Sequence, residues 1–208
     1  MTDIVKIALP YGDYEKTFFD ILDCAGFCYD SNFEFKKNNK NQLCVCSVSQ
    51  LDVVSCVERG AVDVGIVGTD MLMEYMPKIL ELMKLNIGQL YIGIVAKKDF
   101  EDDMGSVLRV ATKFPNIAMN YFLKQCRDID IIKMHDVPEV SLNIDMADVV
   151  LDVIKSEDIL NKYDLKIIDT ISPVDFHLIS NVSSFHFKND VIRNFVNRLK
   201  LNVGKYDR

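Results

Sequence analysis

Two cations and a hydroxyl lie close together where a predicted strand passes into a predicted helix. Arg109, Thr112 and Lys113 belong to the run Arg-Val-Ala-Thr-Lys-Phe-Pro-Asn of residues 109–116. Guanidinium and ammonium groups bind phosphate oxygens, and the free N–H groups of a helix start favour an anion. The segment therefore suits a triphosphate or a pyrophosphate. A capping threonine between two solvated basic residues explains it equally well.

A glycine-rich turn offers a second possible anion site. The run Gly-Ile-Val-Gly-Thr-Asp, from Gly65 to Asp70, follows a buried strand and precedes a helix, with Gly68 at the turn. Glycines allow a ligand to approach the backbone closely, and first-turn N–H groups favour a negative charge. A tight strand–helix turn accounts for the same residues without a ligand.

Glu139, Asp148 and Asp152 lie in one segment, residues 135–153. Asp148 and Asp152 are four residues apart, so both side chains face the same side of an extended strand. Glu139 precedes them. A carboxylate near a strand end can hold ribose hydroxyls or a magnesium ion. Charges at a strand rim and a helix N-terminus are the alternative explanation.

The spacing of the histidines and cysteines, together with the net charge, argues against a zinc protein, a Ser/His/Asp or Cys/His enzyme and a nucleic-acid-binding protein. The histidines have no metal-ligand spacing and form no Ser/His/Asp or Cys/His set, so structural roles are expected for them. The cysteines show no zinc spacing and are predicted to be small buried hydrophobes in a reducing cytosol. A net charge of −7 disfavours nucleic-acid binding. The six cysteines are at positions 24, 28, 44, 46, 56 and 126.

Buried strands alternate with amphipathic helices around these residues. Residues 4–10, 43–48 and 62–67 are short apolar runs, and apolar residues at helical spacing follow the first two. Ser49 is predicted to cap the second helix and Gly60 to end it. A β-α-β-α-β order predicts a mostly parallel sheet covered by helices, hence an α/β fold.

The same alternation returns in the second half of the chain. No linker rich in Pro, Gly or Ser divides the sequence, so we expect two lobes joined by strands that cross between two sheets, with a ligand cleft at the strand ends. Residues 1–92 and 174–208 are predicted to form lobe I, and residues 93–173 lobe II. No apolar run reaches about 20 residues, and no signal-peptide pattern opens the chain, so a cytoplasmic protein without a membrane partner is expected.

Five segments, in order along nearly the whole chain, resemble the short form of ATP phosphoribosyltransferase. The family's first strand and turn are similar to IALPYG, and its helix–turn–strand segment is similar to LDVVSCVERGAVDVGIVGTD. Its RVATKYPN motif resembles VLRVATKFPNIAMNYF, and its segment II(K)LxGSVELxxxxxxADAIVDxV resembles DIDIIKMHDVPEVSLNIDMADVVLDVI. Its C-terminal strand and helix resemble SSFHFKNDVIRNFVNRL.

The resemblance implies a two-lobed fold of the type II periplasmic-binding-protein kind, with mixed, mostly parallel sheets. It implies a reaction that joins N1 of ATP to C1 of phosphoribosyl pyrophosphate and displaces pyrophosphate with the help of Mg²⁺, in histidine biosynthesis. It further implies an oligomer with a regulatory subunit resembling histidyl-tRNA synthetase. Glu139 and Asp152 would act on the ribose side as catalytic residues. The implied substrate-binding residues are Gly12, Gly68, Asp70, Arg109, Thr112, Lys113, Lys155 and Ser156.

The chain departs from the family pattern at the phosphate-binding turns. The family's first turn reads KGR, whereas this chain has Tyr11, Gly12 and Asp13. The family's phosphate loop contains glycine and threonine, whereas residues 155–159 read Lys-Ser-Glu-Asp-Ile. Each change removes a hydrogen-bond donor or adds negative charge, although Lys155 can supply a phosphate contact.

Three interpretations remain open on the sequence. The first is an active but divergent ATP phosphoribosyltransferase. The second is a non-catalytic relative that binds a different small anionic ligand or regulates an active paralogue. The third is a secreted solute-binding protein of similar fold, which the absence of a signal-peptide pattern disfavours. The first two share one fold and differ only in their site, so the fold cannot distinguish them. A measurement of turnover can.

Overall fold

The computed structural model describes residues 4–27, 43–88, 90–154, 160–161 and 163–203. Their contacts divide them into two units, each with its own sheet. Unit 1 takes the described residues of Met1–Leu72, Met76–Ile87 and Asp175–Arg208. Unit 2 takes those of Met73–Tyr75 and Gly88–Val174.

Strands and helices alternate along most of the chain, and their bounds are as follows. The first part contains β1 (Val5–Pro10), α1 (Glu15–Cys24), β2 (Leu43–Val48), α2 (Gln50–Glu58), β3 (Val64–Gly68), α3 (Thr69–Tyr75), β4 (Leu80–Lys84) and β5 (Leu90–Lys97). The middle contains β6 (Leu108–Thr112), α4 (Pro115–Lys124), β7 (Ile129–Lys133), α5 (Val140–Asn143) and β8 (Val149–Ile154). The last part contains β9 (Leu165–Val174), β10 (Phe176–Ser180), α6 (Val182–Phe187) and α7 (Asn189–Val203).

The sheet of unit 1 has the strand order β2-β1-β3-β10-β4. Strand β1 pairs in parallel with β2 and β3, whereas β10 runs antiparallel to both β3 and β4. Phe18 of α1 and Phe195 of α7 belong to one buried cluster with strand residues that include Phe176 of β10. Helix α2 supplies Val53 and Val57 to a second buried cluster. The sheet therefore has one apolar core with α1 and α7 and another with α2.

Local signals in the sequence fix the ends of α2. Ser49 Oγ accepts a hydrogen bond from the backbone N–H of Asp52 at 3.1 Å, which satisfies one free donor of the first turn. Gly60 adopts a φ of +73°, a left-handed conformation that costs glycine little. Both predictions for this helix are confirmed.

The sheet of unit 2 has the order β7-β6-β8-β5-β9. Strands β7, β6 and β8 run parallel, and β5 runs antiparallel to its neighbours β8 and β9. Buried residues of the sheet pack with Leu142 of α5 and with Leu160. The parallel part of this sheet brings the carboxyl ends of three strands to one edge, where α4 and α5 follow β6 and β7.

The α/β class with two mixed sheets is confirmed, and three details differ from expectation. In each sheet two neighbouring pairings are antiparallel, because β10 and β5 run against their neighbours. Residues 183–187, expected as a strand by resemblance, lie in helix α6, where the Asn181 side chain accepts a hydrogen bond from Ser184 N at 2.9 Å. Strand β4 was not predicted from the sequence. None of the helices in the described ranges is long and apolar enough to cross a bilayer.

Candidate functional site

Strands β6 and β8 run side by side in the same direction, so their carboxyl ends reach the same edge of the sheet. Thr112 ends β6 opposite Leu151 of β8. The next residue on each chain segment is charged, and Lys113 Nζ lies 3.0 Å from Asp152 Oδ2. In sheets of this type, ligands bind beyond the carboxyl ends of the strands. This ion pair is therefore the centre of the candidate site.

Asp152 lies in an environment that opposes its ionisation. The residue is only 7% exposed, and this burial is the main cause of a raised pKa for its carboxyl group. The charge of Lys113 and hydrogen bonds from Lys113 and from Val153 N act in the opposite direction, whereas the charge of Glu139 raises the pKa further. A buried carboxylate beside an ammonium group can accept hydrogen bonds from sugar hydroxyls while the lysine donates to a phosphate oxygen.

Glu139 comes from the neighbouring element of the same edge. It is half-buried and immediately precedes α5, and its side chain makes no capping bond to that helix. The short turn is held by Ser141, whose hydroxyl donates to Pro138 O at 2.6 Å. Glu139 lies near enough for its charge to raise the pKa of the Asp152 carboxyl group, and these are the two carboxylates that the resemblance assigns to the ribose side.

Thr112 lies at this edge, but its hydroxyl is engaged in the chain itself. The residue is 0% exposed, and its Oγ1 accepts a hydrogen bond from Phe114 N at 2.8 Å. Its carbonyl accepts from Met134 N at 2.9 Å, just beyond the end of β7. The Thr112 hydroxyl therefore helps to order the exit of β6.

Arg109 lies at the opposite end of β6 from Lys113. The two residues are four positions apart along an extended strand, so their Cα atoms are about 13 Å apart. The guanidinium donates to both carboxylate oxygens of Asp148, at 3.1 Å from Nε and 2.6 Å from Nη2, and to Asp145 O at 2.8 Å. The expectation that Arg109 and Lys113 meet at one strand exit is not what the structure shows, because Arg109 is at the strand entrance.

Glu74 is a residue of this region that sequence reasoning missed. It is 3% exposed, and its carboxylate accepts hydrogen bonds from Asn116 N and Ile117 N, both at 3.0 Å from Oε2, at the start of α4. Nothing local in the sequence marks this contact, because the partners are more than 40 residues apart. The N–H groups that were expected to attract a phosphate are thus occupied by a carboxylate of the chain.

Three of the expected site residues lie in unit 1. Gly68 ends β3 and precedes α3, with an ordinary extended φ of −75°, and Asp70 is buried in the first turn of α3. Gly12 is exposed, with a φ of +122° and no atom within 4 Å of the position a Cβ would take. Lys155 and Ser156 lie outside the described residues, so the expected phosphate loop has no structural account.

The carboxylates at the candidate site indicate how a magnesium ion could be bound there. Among the described residues no group of three or more His, Cys, Asp or Glu side chains is placed to hold a metal. Asp152 and Glu139 can supply one or two oxygen ligands, which suits an ion already carried by a substrate phosphate. Cys24 and Cys126 are exposed rather than buried as predicted.

Comparison with known proteins gives consistent matches over most of the chain. A model of the HisG family, described as ATP phosphoribosyltransferase, matches residues 49–201. The ATP phosphoribosyltransferase of Campylobacter curvus is 32% identical over 207 residues, covering 97% of this chain and 99% of that protein. That of Brachyspira hyodysenteriae is 31% identical, covering 95% and 98%.

Solved structures agree on the fold. The ATP phosphoribosyl transferase (HisG:HisZ) complex from Thermotoga maritima matches with a TM-score of 0.87 at 22% identity, covering 97% of this chain and 100% of the matched chain. A Candida albicans protein with the generic periplasmic binding protein fold matches with a TM-score of 0.63 at 13% identity, covering 98% of this chain and 72% of that one. The expected fold of the periplasmic-binding-protein kind is confirmed.

Proposed function

The chain belongs to the ATP phosphoribosyltransferase family, whose reaction is the first step of histidine biosynthesis, and we propose that it catalyses this reaction with the residues around Lys113 and Asp152. N1 of ATP forms a bond to C1 of phosphoribosyl pyrophosphate. The bond from C1 to the pyrophosphate oxygen breaks, and pyrophosphate leaves with its electron pair. The observation that carries the proposal is the Lys113–Asp152 pair at the carboxyl edge of a parallel sheet.

The chemistry of the reaction fits what this edge provides. The attacking ring nitrogen has a free lone pair, so no residue needs to remove a proton from it before the bond forms. What the reaction needs is alignment of two substrates and stabilisation of charge on the ribose ring and on the departing pyrophosphate. A buried carboxylate and an adjacent ammonium group supply these without a nucleophilic side chain.

Each residue of the edge then has a separate role. The carboxylates of Asp152 and Glu139 accept hydrogen bonds from ribose hydroxyls and face the positive charge that develops at C1. Lys113 donates to the pyrophosphate or to a triphosphate oxygen. Mg²⁺ would come with the phosphate-bearing substrate, the carboxylates of Asp152 and Glu139 would complete its oxygen ligands, and it would supply charge neutralisation for the leaving group.

The proposal includes a partner and a location. A regulatory subunit resembling histidyl-tRNA synthetase would form an oligomer with this chain, which is supported by the match to one chain of a HisG:HisZ complex. The cytoplasm is the proposed compartment, in keeping with ATP as a substrate.

A second candidate is a non-catalytic relative that regulates an active paralogue or binds another small anion. Two observations favour it. The first turn carries Tyr11 and Asp13 in place of cations, and Glu74 occupies the N–H groups at the start of α4. Both reduce the number of donors available to phosphate groups.

Turnover decides between the two candidates. The assay follows the absorbance of phosphoribosyl-ATP with ATP, phosphoribosyl pyrophosphate and Mg²⁺, with and without the regulatory subunit. Asp152→Asn is expected to lower kcat/KM on the order of 100-fold, since a carboxylate that meets developing charge is lost. Asp145→Asn is the matched control, because Asp145 is exposed and paired with Lys97. No turnover by the natural chain under either condition favours the second candidate.

A further inference from the structure

The start of α4 has every backbone donor accounted for. Pro115 has no N–H, and the first N–H that bonds within the helix is that of Ala118, to Phe114 O at 3.0 Å. The two donors left between them, Asn116 N and Ile117 N, both bond to the carboxylate of Glu74. The residue in the N-cap position, Phe114, provides no side-chain cap. Helix α4 is thus capped by a residue from another helix.

The cap is anchored on both sides of the contact. Asn116 Nδ2 donates to Glu74 O at 3.0 Å, so side chain and backbone of Glu74 both bind the first turn of α4. Glu74 lies in the last turn of α3, in the short piece Met73–Tyr75 that belongs to unit 2 together with α4. A buried carboxylate held by N–H groups at the positive end of a helix is a strong, charge-assisted contact.

Lys113 sits between this cap and the end of β6. The exit of the strand is fixed by the bond from Phe114 N to Thr112 Oγ1 at 2.8 Å. The start of the helix is fixed by Glu74. Only residues 113 and 114 link the two, so the position of the Lys113 backbone depends on both anchors.

We propose that Glu74 is a positioning residue that acts through Lys113. By capping α4 from outside that helix, it sets the two-residue link and thereby holds Lys113 Nζ within reach of Asp152. The proposal rests on the proposed function for its effect on turnover, but the geometric effect on Lys113 stands independently of it. It also means that the N-terminus of α4 is a structural contact and not a phosphate site.

Glu74→Gln tests the role with the smallest change of shape. The amide keeps one acceptor oxygen but loses the negative charge and the second oxygen, so the cap of Asn116 N and Ile117 N weakens. Glu101→Gln is the matched control, because Glu101 is an exposed glutamate of the same unit. Amide hydrogen exchange at Asn116 and Ile117 reports whether the cap is lost, and urea unfolding reports the cost in stability.

The first measurement does not require turnover. Side-chain NMR of Lys113, with its signal assigned by its absence in Lys113→Met, is followed in the wild type and in both glutamine variants. We expect Glu74→Gln to shift the Lys113 ammonium signal and to reduce its response to Asp152→Asn, whereas Glu101→Gln leaves both unchanged. An unchanged Lys113 signal, in a Glu74→Gln protein whose Asn116 and Ile117 amides exchange faster, overturns the proposal.

The second measurement is a double-mutant cycle on kcat/KM. Glu74→Gln is expected to lower kcat/KM about tenfold to 100-fold in the wild type, because small displacements of a catalytic group are costly. In the Lys113→Met background it should lower kcat/KM less than about twofold, since the group it positions is gone. Equal losses in both backgrounds show a purely structural role and overturn the proposal.

The two measurements also separate this proposal from the proposed function. A wild type without turnover counts against the proposed function alone, and the NMR result then decides the role of Glu74. Inorganic pyrophosphate is the probe for the competing possibility that Glu74 yields its place to an anion. The control is a titration with sodium chloride at the same ionic strength. Saturable shifts of the Asn116 and Ile117 amides with pyrophosphate, but not with sodium chloride, would show a ligand site there and overturn the proposal.

Discussion

Two aspartates four residues apart have opposite electrostatic surroundings. Asp148 lies just before β8 and receives hydrogen bonds from the Arg109 guanidinium, which lower the pKa of its carboxyl group. Asp152 lies within β8, where burial raises the pKa of its carboxyl group. The two residues are of the same type, so the difference between their pKa values comes from their surroundings. In its ionised form Asp148 stabilises the fold through its contact with Arg109.

This contrast predicts opposite pH dependences for two equivalent substitutions. The stabilisation from Asp148 is present above the ordinary aspartate pKa of 3.8 and is lost as the pH falls through its lowered folded value. Asp148→Asn should therefore lower the free energy of unfolding by about 1 to 2 kcal/mol at neutral pH, and by less toward about pH 3.

Asp152 has the other sign. Its raised pKa stabilises the fold below the ordinary value of 3.8, and this stabilisation is lost as the pH rises through the raised folded value. The free energy of unfolding of Asp152→Asn should thus rise relative to the wild type as the pH rises above about 4. Urea unfolding from about pH 3 to pH 7 measures both variants, and slopes of the same sign would contradict the prediction.

At the residue scale the sequence gives the types of group at the site better than their arrangement. The segments around Lys113 and Asp152 were selected from the sequence, and the site roles assigned to them stay predictions. Arg109 was placed at the wrong end of β6, because a strand separates by about 13 Å residues that are close in sequence. Glu74 could not be found, because its contact with α4 depends on the fold.

At the scale of elements, Gly65 sets how closely α2 lies on β3. A Cβ at this position would be 2.8 Å from both Val53 Cγ1 and Val57 Cγ2, and 3.4 Å from Ala8 O. Both valines are completely buried on the inner face of α2. Glycine is therefore required here by close packing of a helix on a strand rather than by backbone conformation.

We predict that Gly65→Ala destabilises the protein by forcing α2 away from the sheet. The loss in free energy of unfolding should be about 1 to 3 kcal/mol, as for other overpacked cores. Gly105→Ala is the control, because its Cβ would meet only the side chain of Asp103, at 3.2 Å in an exposed loop, and should change stability by less than about 0.5 kcal/mol.

A combined variant tests the cause. In a Val57→Ala background one of the two close contacts disappears, so Gly65→Ala should cost less than it does alone. Urea unfolding of the four proteins of this cycle gives the coupling. Strict additivity would show that the cost does not come from the contact with α2.

Most elements could be predicted because their signals are local. Apolar runs, the Ser49 cap and the Gly60 stop depend on neighbouring residues, and the structure follows them. Strand β4 has mostly half-exposed residues and no clear alternation, so it gave no such signal. No local signal gave the direction of β10 either, because a buried strand has the same apolar pattern whether its neighbours are parallel or antiparallel.

At the scale of the whole molecule, the sheet of unit 2 comes from one continuous piece of chain. All five of its strands lie between Leu90 and Val174, and these two residues pair with each other across β5 and β9. The division of the chain between units arises because unit 1 takes strands from both sides of this piece. The sequence predicted two groups of strands, whereas the position of β10 between β3 and β4 is known only from their pairing in the structure.

We predict that a fragment of residues 88–174 folds on its own. Its length is sufficient for a hydrophobic core, and its ends leave from adjacent strands. It lacks the Glu74 cap of α4, so its free energy of unfolding should be lower by about 1 to 2 kcal/mol than that of unit 2 in the full chain. Circular dichroism during urea unfolding measures this, and a fragment without a cooperative transition would contradict it.

Strand β10 has a consequence for protein synthesis on the ribosome. It lies between β3 and β4 in the sheet, yet it is made after all of unit 2. Until residues 176–180 leave the exit tunnel, β3 has an open edge, and each of its residues is one that becomes buried in the finished fold. Open apolar strand edges pair readily with other chains. The nascent chain therefore passes through a late interval in which unit 2 can be complete while the sheet of unit 1 still lacks β10 and is exposed to aggregation. A ribosome-associated chaperone has the most to protect during this interval.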